Sequence, residues 1–125
     1  FAKWAMLLTG NYRCILEDGV QPIRDAVHGD IARAREVYGQ VNDLVRTLGA
    51  DPSDMVPFEK YAAAAEGLLK PSSAARAIDS GATAIERVDK LVALIAAQLG
   101  TTIPEVARIS KVVDTRLAGN VEHAA

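Results

Sequence analysis

Apolar residues recur along this chain at intervals of three and four, almost without interruption. From Asp30 to Leu48 they fall at Ile31, Ala34, Val37, Val41, Leu44 and Leu48, one stripe of a helix opened by Asp30 as N-cap and closed by Gly49. From Thr83 to Leu99 a second stripe holds Ile85, Val88, Leu91, Val92, Ile95 and Leu99. Gly100 ends that helix in the C′ position, and Pro104 is placed to be the first residue of another, running to about Leu117 through Val106, Ile109 and Val113. Nowhere does an apolar–polar alternation of period two stand between turn signals, so no strand is predicted.

The remaining segments read as helices too. The first covers Ala2 to Leu16 and stops at Glu17-Asp18-Gly19. A short one from Pro22 to Val27 is broken by His28-Gly29-Asp30. Asp51-Pro52-Ser53 starts a turn of helix, and Pro57 opens a helix through Lys70. Pro71 stops that helix, Ser72 caps the next, and Asp79-Ser80-Gly81 ends it. The expected fold is all-α, a bundle of six to seven helices over residues 1–117, with 118–125 a frayed tail.

Composition narrows the picture. The 125 residues suit one domain, half of them are hydrophobic, and the aromatics are few, so Ala, Leu, Val and Ile must build the core. A net charge of −2 gives no electrostatic footprint for nucleic acid. No apolar run reaches the ~18–20 residues of a membrane span. The single cysteine, Cys14, rules out an internal disulfide and suits a reducing, cytoplasmic setting, where it reads as a small core residue. The chain starts at full hydrophobicity, with no capping residue before Phe1. It therefore reads as a domain separated from something upstream, with open apolar surface expected around Phe1, Trp4 and Leu8.

Little of the chain carries recognisable chemistry. There is no Gly-x-Gly-x-x-Gly turn, no P-loop and no cluster at metal-ligand spacing. His28 and His123 fall in a helix break and in the tail, and read as solvated surface residues. Five polar residues remain: Lys3, Asn11, Ser72, Ser73 and Glu86. Lys3 and Asn11 are eight positions apart, two α-helical turns plus roughly 80°, so both border one cleft without sharing one line. An ammonium on an apolar helix face can donate a proton, and an amide can orient a carbonyl. A snorkelling lysine, a polar helix residue and an N-cap serine account for the same residues equally well.

Three features occur together in order: Lys3-x-x-x-Leu7-x-x-x-Asn11, the pair Ser72-Ser73, and the element from Gly81-Ala82-Thr83 to Gly100 and Pro104. In this the chain is similar to the C-terminal helical domain of the ketopantoate reductase (2-dehydropantoate 2-reductase) family, over most of its length. The resemblance implies a helical domain of the 6-phosphogluconate dehydrogenase C-terminal-domain class, and an oxidoreductase of pantothenate biosynthesis. Its NADP would be bound mainly by an N-terminal Rossmann domain, with none bound by this chain alone. It also implies Lys3 as the general acid and Asn11, Ser72, Ser73 and Glu86 as contacts to a small keto acid; a homodimer is expected from the open apolar surface of the first helix.

Two residues depart from the family pattern. The first Asn of its Lys-Asn-Asn register is Leu7 here, and the position of its catalytic carboxylate is Ala84, with Glu86 the nearest acid, about 200° round a helix. These imply a different substrate or lost catalysis. A non-enzymatic helical interaction or dimerisation module is the rival reading, supported by the long apolar stripes; another two-domain dehydrogenase is a third.

Overall fold

The computed structural model describes residues 2–124; Phe1 and Ala125, and the expectations placed on them, lie outside the described residues. Its elements are α1 (Trp4–Met6), α2 (Ile23–His28), α3 (Ile31–Thr47), α4 (Phe58–Ala65), α5 (Ser73–Asp79), α6 (Val88–Gln98) and α7 (Pro104–Ala124). The all-α class is as expected. An isolated bridge between Ile15 and Val20 is the sole β pairing among the described residues.

The first helical stretch is not a uniform α-helix. After α1 the chain widens into a π turn, Leu7–Asn11, and then tightens into a 3-10 turn, Tyr12–Cys14. It ends at Cys14 rather than Leu16, because Ile15 turns extended to pair with Val20. The π turn lies at the centre of the bundle, packed against α2, α3, α5 and α6. Gly10 makes that packing feasible. A Cβ there would lie 1.7 Å from the Tyr61 hydroxyl on α4, so only a glycine admits the ring.

The core forms around this stretch. Leu8, Val27, Val37, Val41, Val92 and Val113 are among its fully buried side chains. Leu8 is therefore covered by its own chain and Trp4 is half-buried, contrary to the open patch expected of them.

Four further boundaries or faces differ from the periodic reading, each for a tertiary reason. α4 stops at Ala65 instead of Lys70, and the following carbonyls of Leu68 and Lys70 accept from the Arg24 and Ile23 amides at the start of α2. α6 begins at Val88 instead of Thr83, because the Tyr12 hydroxyl donates to the Glu86 carbonyl (2.5 Å) and accepts from the Val88 amide (2.9 Å). Its buried face is Asp89, Val92 and Ala96, which leaves Leu91 and Leu94 45% and 65% exposed. Asp89 turns the helix inward because Arg87 grips both carboxylate oxygens (2.9 and 2.8 Å) and the Ser110 hydroxyl donates to it (3.0 Å).

The last helix does not stop at Leu117 with a frayed tail behind it. α7 continues to Ala124, and the Asn120 amide donates to the carbonyls of Ile78 (2.9 Å) and Ala82 (2.8 Å), closing the end of α5. His28 is likewise not simply solvated: it is half-buried, with Nε2 2.7 Å from the Ala62 carbonyl. Cys14 is buried as expected, its thiol donating to the Gly10 carbonyl (3.1 Å). No helix is long and apolar enough to cross a membrane, and no metal-holding cluster of His, Cys, Asp or Glu is found, among the described residues.

Candidate functional site

The change of helix type at Asn11 leaves its carbonyl, which closes the 3-10 turn, a lone pair for a second donor. The Ile15 amide bonds to the Tyr12 carbonyl, three residues back, so the Asn11 carbonyl loses the α-helical partner it would otherwise have. The Ser72 hydroxyl takes that place, donating to the Asn11 carbonyl at 2.7 Å. The same hydroxyl accepts from the Ala75 amide at 3.2 Å, which is the N-cap of α5. Ser72 is buried, and one atom of it ties α5 to the π turn.

Two clefts open on either side of that junction. One, of about 410 Å³, is lined by Asn11, Ile23, Lys70, Ser72, Ser73 and Arg76, with Leu68 and Leu69 in its wall. The other, of about 380 Å³, is lined by Leu7, Asn11, Tyr12, Ser73, Ile85 and Glu86. Asn11 and Ser73 belong to both, so the two clefts adjoin at these residues as two lobes of a candidate groove. The structure thus sets three segments distant in sequence around these adjoining clefts: Asn11, Ser72-Ser73 and Glu86.

Lys3 stands apart from the other four. A π turn takes up one residue more than an α turn, so eight positions rotate like seven, about 700° instead of roughly 800°, and Lys3 and Asn11 come to within about 20° of one line. They share a helix face more closely than a regular helix would allow. Lys3 nevertheless sits exposed at the very start of α1 and lines neither lobe.

The environment of each group sets what it can do. Ser72 can donate to nothing else, since its proton lies on Asn11; Ser73, exposed beside it, has no hydrogen-bond partner among the described residues and its hydroxyl is free for a ligand. Burial pushes the Tyr12 phenol up, against the lowering by the Val88 amide, so it remains a protonated clamp. Burial likewise raises the Cys14 thiol in spite of Ser72, which removes it as a nucleophile. Glu86 is exposed, with its backbone fixed by Tyr12.

Behind the groove, Arg13 fastens the π and 3-10 turns to the bundle. It donates to the carbonyls of Thr9 (3.2 Å) and Ala26 (2.9 Å) and pairs with Glu105 on α7 (2.9 Å). Burial opposes the Glu105 charge, but Arg108 and Arg13 overcome it and hold the carboxyl below its ordinary value.

Residue-by-residue reading missed Lys70, Arg76 and Tyr12. Arg76 lies one helical turn from Ser73, and Tyr12 adjoins Asn11; those spacings were the available signals. Lys70 carried none, because its place in the groove depends on α4 stopping early. No protein family, curated protein or solved structure matches this chain.

Proposed function

We propose that this chain is the substrate-contacting domain of a two-domain, NADP-dependent reductase of small 2-keto acids, of the ketopantoate reductase kind. The observation that supports this most is the 2.7 Å bond from Ser72 to Asn11, which draws Asn11, Ser73 and Glu86 around the candidate groove. A concave site with a few convergent polar groups on apolar walls is what a small organic acid requires.

Among the described residues no glycine-rich turn offers the dinucleotide a phosphate cradle. The positive-φ glycines, Gly49, Gly81 and Gly100, stand singly at helix ends. This reading assigns the cofactor to a separate Rossmann domain. The chain's own residues then hold the acid. Asn11 and Ser73 orient it, and Lys3, on the Asn11 face of the first helical stretch but outside both lobes, is the general acid by resemblance alone and must close on the bound acid to reach its carbonyl oxygen. The test is turnover of 2-keto acids with NADPH by a protein carrying this chain together with a dinucleotide-binding domain. Lys3→Ala should lower kcat by about 10²–10⁴-fold; unchanged turnover would remove Lys3 from the chemistry.

A second reading, an interaction module, is favoured by α6, where Leu91 and Leu94 face outward. Sedimentation velocity over a range of concentrations tests it: self-association abolished by Leu94→Lys supports a docking face, and a monomer throughout does not.

A further inference from the structure

Basic side chains in this fold mostly have acidic partners, as in Arg13–Glu105, Arg87–Asp89 and Arg116–Asp79. Arg76 and Lys70, like Arg24, Lys60 and Lys111, have none among the described residues, but Arg76 and Lys70 line the same lobe. The Asn11 amide and the Ser73 hydroxyl, also without partners among the described residues, line it with them. No carboxylate does, in a chain whose acidic residues outnumber its basic ones 16 to 14. Two unneutralised cations against the apolar wall of Ile23, Leu68 and Leu69 make a site for a negative group, because the low-dielectric wall strengthens their field.

The other lobe has the opposite character. Leu7, Ile85 and Val88 make it apolar, and its charged residue is Glu86. A carboxylate placed there would be repelled by Glu86, with no cation in the lining to offset it. A ligand spanning both lobes therefore lies one way round.

We infer that Lys70 and Arg76 form the carboxylate clamp of the groove and that its ligand is a 2-oxo acid with an uncharged aliphatic side chain. The clamp holds the carboxylate, Asn11 and Ser73 hold the polar atoms at the junction of the lobes, and the aliphatic chain lies against Leu7 and Ile85. This names the substrate class of the site proposed above and rests on that keto-acid reading. The orientation follows from the charge difference between the lobes, and the aliphatic preference from Leu7, which offers no hydrogen bond.

The test is binding to the full chain without cofactor, by calorimetry and amide chemical shifts. The probes are 4-methyl-2-oxopentanoate, its methyl ester and 2-oxoglutarate. The free acid should bind and shift the Asn11 and Ser73 amides. The ester, lacking the charge, and 2-oxoglutarate, carrying a second one, should each bind at least roughly 10-fold more weakly. Lys70→Gln and Arg76→Gln should each weaken the acid by roughly 10-fold. Both residues are exposed and unpaired, so melting temperatures should hold. Arg24→Gln, outside the groove, should change nothing. Equal affinity for acid and ester, tighter binding of 2-oxoglutarate, indifference to both substitutions, or no binding at millimolar acid would each overturn the clamp. Clamp-dependent binding in a protein that turns over no keto acid would refute the reductase reading alone. Turnover indifferent to Lys70→Gln and Arg76→Gln would refute the clamp alone.

Discussion

The Ser72 hydroxyl donates to the Asn11 carbonyl at 2.7 Å across 61 residues of chain, and it does so at the point where a π turn hands over to a 3-10 turn. The bond joins the two segments that carry the candidate ligand groups. Ser72→Ala would take one of two donors from the Asn11 carbonyl, which the 3-10 turn still engages, and would leave α5 uncapped. The expected loss is about 1–2 kcal/mol, chiefly the lost cap and one hydrogen bond. Ser73→Ala, on an exposed and unpaired hydroxyl, should leave stability within about 0.5 kcal/mol. Urea unfolding of both variants checks the contrast, and equal losses would contradict this division of roles.

Gly10 is tied to Tyr61 by space alone. Gly10→Ala places a Cβ 1.7 Å from the Tyr61 hydroxyl and 3.0 Å from the ring carbon that bears it. The substitution should cost at least about 1–3 kcal/mol through overpacking. Adding Tyr61→Phe removes the nearer atom but not the ring, so the double variant should recover part of that loss. A double-mutant cycle by thermal unfolding measures it; strictly additive effects would mean that the contact is relaxed elsewhere.

Tyr12 holds the segment before α6 from both sides, through the Glu86 carbonyl and the Val88 amide. Tyr12→Phe leaves both without that partner. The expected outcome is faster hydrogen exchange at the Val88 amide, with a stability loss of about 1–3 kcal/mol. Exchange unchanged at Val88 would show that the segment is held by other contacts.

Glu105 sets an acid limit. Its folded-state carboxyl lies below the ordinary 4.5 because Arg108 and Arg13 outweigh its burial. A depressed carboxylate contributes stability that is present above the unfolded value and lost as pH falls through the folded one. The melting temperature of the natural chain should therefore drop steadily below about pH 4.5. Glu105→Gln should be less stable at neutral pH by about 3–5 kcal/mol, since Arg13 is left buried without its countercharge, and should fall less steeply in acid. Parallel pH profiles would remove Glu105 from this role.

The end of α7 is a structural part of the bundle. Asn120→Ala should destabilise the chain by about 1–2 kcal/mol, because the Ala82 carbonyl loses the Asn120 donor while the Ile78 carbonyl keeps the Gly81 amide. Chemical denaturation reads this directly, and a neutral substitution would return residues 118–124 to the status of a tail.

The sequence by itself determined the helical class and most helix positions. Asp30 and Ser72 act as caps, Gly49, Gly81 and Gly100 take the left-handed conformation at helix ends, and Pro104 starts α7. These are local effects: a short polar side chain, a missing Cβ and a fixed φ act within one turn of the residue that carries them. Lys3, Asn11, Ser72, Ser73 and Glu86 stood out in the sequence by their polarity and order, and all but Lys3 line the adjoining clefts.

Tertiary structure decided how those residues meet. The close packing at Gly10, the early stop of α4 and the late start of α6 each involve a partner distant in sequence: Tyr61 for Gly10, the α2 amides for Leu68 and Lys70, and Tyr12 for Glu86 and Val88. Apolar periodicity reports which face of a helix prefers burial, but not which neighbour will compete for its backbone groups. On α6 the buried carboxylate of Asp89, gripped by Arg87 and Ser110, outweighed the pull of Leu91 and Leu94 and turned those leucines outward. Lys70 and Arg76 came to share the Asn11 groove for the same reason, since unpaired charges go where the packed backbone leaves them.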